Sequence, residues 1–138
     1  MPLHREVAED KLTGRIIGAA IEIHSTLGPD HPEHLYREAL AHGLREQDLK
    51  VEAEREIAVI YAGKQFGSRY ADLVVQDDVV VELKAVRRVT DEHFYQLGTN
   101  VRLLELRCGL LINFGQLRID VRRYANSRGG TSSGSAPT

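Results

Sequence analysis

Residues 70–85 read YADLVVQDDVVVELKA, with two apolar runs on either side of a polar segment at 76–78. Valine-rich runs that flank a short, turn-prone segment are typical of a β-hairpin. Successive side chains along the second run point to opposite faces. One face takes Val79, Val81, Leu83 and Ala85, and the other takes Val80, Glu82 and Lys84.

The length of the loop decides which side chains meet across this hairpin. A three-residue loop at 76–78 places Asp72 opposite Glu82, and directly opposed Cβ atoms lie about 4.5–5.5 Å apart. Two carboxylates that close repel each other unless a cation lies between them, so this geometry suits a hard divalent metal with the amine of Lys84 beside it. A two-residue loop would pair Asp72 with Leu83 and turn its carboxylate to the apolar face.

A surface hairpin with an acidic polar face, in which Lys84 pairs with Glu82, is the alternative interpretation. Spacing alone leaves both interpretations open, because Glu-x-Lys is common on strands. Features elsewhere in the chain are therefore needed to choose between the two interpretations.

Composition is ordinary for one globular domain: 138 residues, 42% hydrophobic and 28% charged, enough for a core without disulfides. The net charge of −2 excludes a generally basic nucleic-acid-coating protein but not a local basic groove. The single cysteine, Cys108, favours a reducing compartment. The sequence shows no membrane span and no signal-peptide apolar region, so we expect a cytoplasmic protein without a membrane partner.

Hydrophobic periodicity predicts helices at 12–27, 32–47 and 90–106, and strands at 51–62, in the hairpin and at 108–114. Residues 118–124 allow an extra strand. The order α-α-β-β-β-α-β predicts an α/β fold with a small mixed sheet flanked by helices. We expect a single domain over residues 1–126 and a flexible Gly/Ser-rich tail over 127–138.

Together, a helical glutamate, an aspartate, a Glu-x-Lys strand and a helical glutamine resemble the PD-(D/E)XK nuclease superfamily. More closely, the chain resembles the small bacterial proteins known as GxxExxY proteins, from about residue 12 to residue 114. The matching stretches are IIGAAIEIH at 16–24, LGP at 27–29, EHLY at 33–36, YADL at 70–73, VELKA at 81–85, QL at 96–97 and GLLINF at 109–114. The resemblance implies a restriction-endonuclease-like core and metal-dependent phosphodiester hydrolysis.

By this resemblance, Asp72 and Glu82 are metal carboxylates and the Leu83 carbonyl is a further oxygen ligand. Oxygen-only ligation favours Mg²⁺ or Mn²⁺ over zinc. Lys84 would orient or deprotonate the attacking water, or counter charge on the scissile phosphate. Gln96 would hydrogen-bond the water or a phosphate, and its alternative is a plain exposed helix residue.

Glu33 has two interpretations. With Asp30 three residues earlier it would form a capping box, and Pro32 fits the first helical turn. Its carboxylate would also reach the metal shell from the start of the helix. The two roles are compatible.

Three residues are candidates for nucleic-acid contact. Arg87 and Arg88 directly follow the Glu-x-Lys strand and would hold phosphates if they converge at the mouth of the site. Scattered, solvated arginines are the alternative. Tyr36 either contacts nucleic acid or packs on a core-facing helix with its hydroxyl bonded.

The chain departs from the family pattern at two positions. Asp30 replaces the glycine that opens GxxExxY, and Asn100 replaces a tyrosine that related exonuclease-like branches place four residues after the helical glutamine. The second departure weakens any argument for an exonuclease-like substrate. Neither removes a predicted metal ligand.

We therefore predict a metal-dependent nuclease acting on DNA or RNA. No element reads a base sequence, so we expect selectivity to come from substrate structure, a protein partner or a homodimer. Two other classes stay open: a catalytically silent nucleic-acid-binding module with this fold, and a regulatory or defence-associated protein-interaction domain.

Overall fold

The computed structural model describes residues 11–127. Its elements follow the predicted order, and the extra strand is present. They are α1 (Lys11–Leu27), α2 (Glu33–Arg45), β1 (Val51–Tyr61), β2 (Lys64–Val75), β3 (Val79–Lys84), α3 (Asp91–Leu104), β4 (Cys108–Asn113) and β5 (Asp120–Ala125). The predicted tail lies, from residue 128 onward, outside the described residues. No helix within residues 11–127 is long and apolar enough to cross a membrane.

The five strands form one mixed sheet in the order β1-β2-β3-β4-β5. β3 and β4 are parallel and joined through α3, whereas the other neighbours are antiparallel. One face packs against α1 and α2 through residues such as Ile16 and Leu40, and the other packs against α3 through Leu97 and Val101. All six residues of β4 are buried, which confirms the interpretation of this apolar run as a strand covered on both faces.

The β2–β3 hairpin has the three-residue loop that the metal prediction requires. Val75 pairs with Val79, and Leu73 pairs with Val81. Gln76 and Asp77 in the loop take left-handed φ values of 56° and 49°. The same register continued by one residue places Asp72 opposite Glu82, as predicted.

Next to Asp72, the side chains of β2 change the side of the sheet on which they pack. Leu73 packs in the core beneath α1 and α2, but Ala71 packs in the core beneath α3. The change falls opposite Glu54 in β1, whose φ is 53°. The pairs between β2 and β3 also end at Leu73 and Val81, so the backbone ladder stops there and leaves a break, called the gap below, beside Asp72.

The side chain of Asn113, at the end of β4, holds the loop that follows β3 and the loop that follows β4 together. The buried Asn113 amide accepts a hydrogen bond from Val86 N at 3.0 Å and donates to Val86 O at 2.9 Å. Asn113 Oδ1 also accepts from Gly115 N at 3.0 Å. These contacts fix the chain immediately after Lys84.

Replacement of Gly115 by alanine is expected to lower the free energy of unfolding by about 1–3 kcal/mol. The new Cβ would lie 2.4 Å from Val86 N and 2.5 Å from Val86 O. Gly43→Ala is the matched control, since a helical Cβ there meets nothing within 4 Å, and it should stabilise by about 0.5–1 kcal/mol. Urea unfolding followed by circular dichroism measures both variants. An unchanged stability of the Gly115 variant would mean that the two loops separate freely.

Candidate active site

Asp72 takes the place of a backbone acceptor where the β2–β3 pairing ends. Its Oδ2 accepts a hydrogen bond from Leu83 N at 2.8 Å, whereas a continued ladder would set Leu83 opposite Ala71. In a strand, the N–H and C=O of one residue point toward the same neighbour. The Leu83 carbonyl therefore points into the gap that holds the Asp72 carboxylate. The next carbonyl, that of Lys84, points the other way and accepts from Phe114 N at 2.8 Å.

Glu82 faces Asp72 at close range. The residue as a whole is half-buried, but its carboxyl group is largely removed from water. Burial raises the pKa of Glu82 to about 8, and the charge of Asp72 and a hydrogen bond between the two carboxyl groups act in the same direction. A hydrogen bond from Asn100 and the charge of Lys84 lower that pKa. Without a cation, the raised pKa of Glu82 favours the protonated form of its carboxyl group near neutral pH.

Glu33 adds a third carboxylate at the first position of α2. The helix is capped by Pro32 (φ −71°, ψ 157°) with no side-chain cap hydrogen bond, so the predicted capping box with Asp30 is wrong. Burial raises the pKa of Glu33, as does the charge of Asp72, while the charges of Lys84 and Arg37 lower it. These electrostatic interactions put Glu33 next to the predicted site.

Arg37 lies beside the predicted site and was not identified from the sequence. Its Nη1 lies 3.9 Å from Asp72 Oδ1, and its Nη2 lies 3.4 Å from Glu54 Oε2. The available signal was its spacing from Glu33, since residues four apart lie on one face of a helix. Through these two ion pairs Arg37 links α2 to both strands of the β1–β2 hairpin.

On the opposite side, α3 contacts the site through Asn100. Asn100 Nδ2 donates to Glu82 Oε2 at 2.9 Å, and Asn100 Oδ1 accepts from Arg69 Nε at 2.7 Å. Gln96 lies one turn earlier with an exposed side chain, and its backbone carbonyl accepts from Arg69 Nη2 at 3.3 Å. The contact predicted for the Gln96 side chain stays a prediction, while Asn100, noted from sequence only as a departure, touches a predicted ligand directly.

Lys84 is half-buried beside the carboxylates. Its charge lowers the pKa of both Glu82 and Glu33, yet within residues 11–127 it forms no ion pair with either of them. The alternative interpretation, a surface Glu82–Lys84 ion pair, is therefore not what the structure shows. The amine is left available to a ligand.

The position of Tyr36 contradicts one predicted role. It is fully buried, its ring stacks on Phe114 with centroids 4.4 Å apart, and its hydroxyl donates to Gly28 O. The prediction that it contacts nucleic acid is wrong, because no part of the side chain reaches the surface. Arg87 and Arg88 are exposed in the loop after β3, so their predicted role stays a prediction.

The donor chemistry of the site fits a hard divalent cation. Asp72, Glu82 and the Leu83 carbonyl offer oxygen donors only, and the negative charge of Asp72 raises the pKa of both Glu82 and Glu33. A cation would relieve that repulsion. In the part of the chain that the structure describes, no three His, Cys, Asp or Glu side chains are already grouped to hold a metal, so ligation would draw on the carbonyl or on water.

Comparisons with known proteins bear on the family and the fold of this chain. A family model described as the PD-(D/E)XK nuclease superfamily matches residues 10–124. A solved structure titled "Crystal structure of SSO0001" aligns with a TM-score of 0.54 and 20% identity, over 67% of this chain and 49% of that chain. This chain thus spans about half the length of that protein, and the likeness shows the fold. The search of curated proteins finds no match.

Proposed function

Because the chain belongs to the PD-(D/E)XK nuclease superfamily, we propose that it is a metal-dependent nuclease that hydrolyses phosphodiester bonds in DNA or RNA. The observation that carries the proposal is the placement of Asp72 opposite Glu82, where burial and then the charge of Asp72 raise the pKa of Glu82 to about 8. Charge repulsion of this kind is a common feature of functional sites. The closer resemblance to GxxExxY proteins is part of the same proposal.

In the proposed mechanism, Asp72, Glu82 and the Leu83 carbonyl would hold Mg²⁺ or Mn²⁺, and Glu33 would contribute through water. When bound, the cation would polarise the scissile phosphate and lower the pKa of the attacking water. Lys84, with no ion-pair partner among the described residues, orients that water and counters charge on the phosphate.

Substrate contacts would come from two further places on the chain. Gln96 is exposed on α3 one turn from Asn100, where its amide would hydrogen-bond the water or a phosphate. Arg87 and Arg88 are exposed directly beyond Lys84 and would bind phosphates of the backbone without reading sequence. Selectivity would then depend on substrate structure, on a protein partner or on a homodimer.

The test is cleavage of a panel of labelled single- and double-stranded DNA and RNA with Mg²⁺, with Mn²⁺ and with chelator. Wild type should cut at least one substrate only when metal is present. Asp72→Asn should lower the rate by roughly 10²-fold or more, because it removes a charged ligand of the ion that activates water. Asp91→Asn, at the exposed start of α3, is the control and should cut like wild type. Cleavage that survives chelation or Asp72→Asn would contradict the proposal.

A second candidate is a nuclease-fold module that binds nucleic acid without cutting it. It is favoured by one observation: residues 11–127 contain no ready-made group of three metal-holding side chains. The same panel separates the two, provided that binding is measured alongside by fluorescence anisotropy. Binding without product would favour the module, and product that requires metal would favour the nuclease.

A further inference from the structure

Both polar atoms of the Asn100 side-chain amide are hydrogen-bonded, and the residue is buried. The residue is 4% exposed, and its two polar atoms contact side chains from two different strands. Its Nδ2 donates to Glu82 Oε2 in β3 at 2.9 Å, and its Oδ1 accepts from Arg69 Nε in β2 at 2.7 Å. A buried polar group held this way has a defined orientation, because any rotation would leave polar atoms unpaired.

Arg69 determines which way that amide faces. An arginine carries only donors, so the Asn100 atom that meets it has to be the carbonyl oxygen. The NH₂ group is then directed at Glu82, which accepts with Oε2. The same guanidinium donates to Gln96 O at 3.3 Å, and this second contact fixes Arg69 relative to the turn of α3 that carries both residues.

We propose that Arg69 and Asn100 are positioning residues that act in series on Glu82. The amide of Asn100 holds Oε2, which leaves Oε1 as the oxygen directed to the gap shared with Asp72 and the Leu83 carbonyl. The inference rests on the proposed function, since it assigns Glu82 as a metal ligand, and it deepens that function by naming what orients the ligand. Hydrogen-bond partners of ligating carboxylates typically contribute 10–100-fold in metal affinity.

Simple electrostatics predicts the opposite sign for Arg69. A guanidinium near a cation site repels the cation, so its removal alone would tighten metal binding. If Arg69 orients Asn100, its removal frees the amide to rotate, and metal binding weakens. The direction of the change in Mn²⁺ affinity therefore shows whether Arg69 orients Asn100 or acts only as a nearby positive charge.

The experiment measures Mn²⁺ affinity by isothermal titration calorimetry for the full chain. Arg69→Met and Asn100→Leu should each raise the Kd for Mn²⁺ by about 10–100-fold. The double variant should be no weaker than the weaker single variant, because both changes break one series of contacts. Arg69→Lys keeps the charge but lacks the planar fork of donors, so it should also weaken binding.

Controls address folding and charge. Arg45→Met removes an arginine whose Nη2 donates to Val51 O at 2.8 Å, near the other end of α2, and should leave the Kd unchanged. Thermal unfolding in chelator confirms that each variant is folded at the titration temperature. If Asn100→Leu does not fold, Asn100→Ser replaces it.

The outcomes distinguish this inference from the proposed function. Weaker Mn²⁺ binding in the Arg69 and Asn100 variants supports the inference even if wild type cuts no substrate. If wild type cuts a substrate but Arg69→Met binds Mn²⁺ as tightly as wild type or more tightly, the inference is wrong. The proposed nuclease activity is then unaffected. A wild-type chain that binds no Mn²⁺ overturns both.

Discussion

Replacement of Lys84 by alanine is expected to lower kcat for metal-dependent cleavage by roughly 10²–10⁴-fold, the range for a positioned acid–base group. Mn²⁺ affinity should stay the same or become slightly tighter, because Lys84 lies beside the carboxylates but is not one of the oxygen donors. Its charge lowers the pKa of Glu82 and Glu33, so its loss leaves the site more negative. Single-turnover cleavage and calorimetry on the same preparation measure the two quantities.

Lys50→Ala is the matched control for this experiment. Lys50 Nζ donates to Asp77 Oδ2 at 3.0 Å, at the loop end of the β2–β3 hairpin, and its loss should change neither quantity. A Lys84→Ala variant that cuts at the wild-type rate would remove Lys84 from the mechanism. One that cuts slowly only because it has lost Mn²⁺ would make the amine a structural support of the ligands.

Glu82→Gln should stabilise the metal-free protein, and increasingly so as the pH rises. The pKa of Glu82 is raised to about 8 from a usual value of 4.5, so between these values the folded state binds a proton that the unfolded state has lost. The contribution of wild-type Glu82 to stability is therefore fully present below about pH 4.5 and is lost as the pH rises to about 8. Glutamine does not titrate. Above pH 8, the free energy of unfolding of the variant should exceed that of wild type by on the order of a few kcal/mol.

Urea unfolding in chelator between pH 5 and pH 9 measures this difference, and Glu38→Gln, an exposed change on α2, is the control. The same Glu82→Gln variant should lose Mn²⁺ binding at pH 8, because in the proposed site a cation would replace the proton of wild-type Glu82. A stability difference that does not vary with pH would mean that the Glu82 carboxyl is solvated. The stabilised variant would then have to be explained by packing.

Much of the fold follows from periodicity and turn chemistry. The hairpin register rests on one feature, the odd number of residues between Val75 and Val79, and pairs across the loop confirm it. The apolar run at Cys108–Asn113 is buried throughout, because a continuous apolar strand has to be covered on both faces. The change of face near Asp72 was not predictable, since it depends on the left-handed backbone of Glu54 in a neighbouring strand.

Two residues near the candidate site had interpretations that the sequence pattern could not separate. Glu33 fitted a capping box as well as a site residue, and only the position of Pro32 as the helix cap separates the two. Tyr36 fitted both packing and contact with nucleic acid, and its stacking on Phe114 brings together residues far apart in the chain. Local spacing carries no information about such contacts.

The contacts of Asn100 were hidden for the same reason. Arg69, Glu82 and Asn100 come from three elements and meet only after the sheet and α3 have packed. A comparison with the family pattern marks Asn100 as a change but does not show what it touches. Residues that orient other residues are the hardest to identify from one sequence.

The hydrogen bond from Leu83 N to Asp72 Oδ2 also makes one amide proton a spectroscopic probe of the site. In a nitrogen–proton NMR spectrum, the Leu83 resonance would respond directly to any cation that draws electron density from the Asp72 carboxylate. Its rate of exchange with deuterium would report whether the end of the hairpin opens before substrate arrives. The occupancy and the motion of the site would thus be followed at a single backbone position, without a label on metal or nucleic acid.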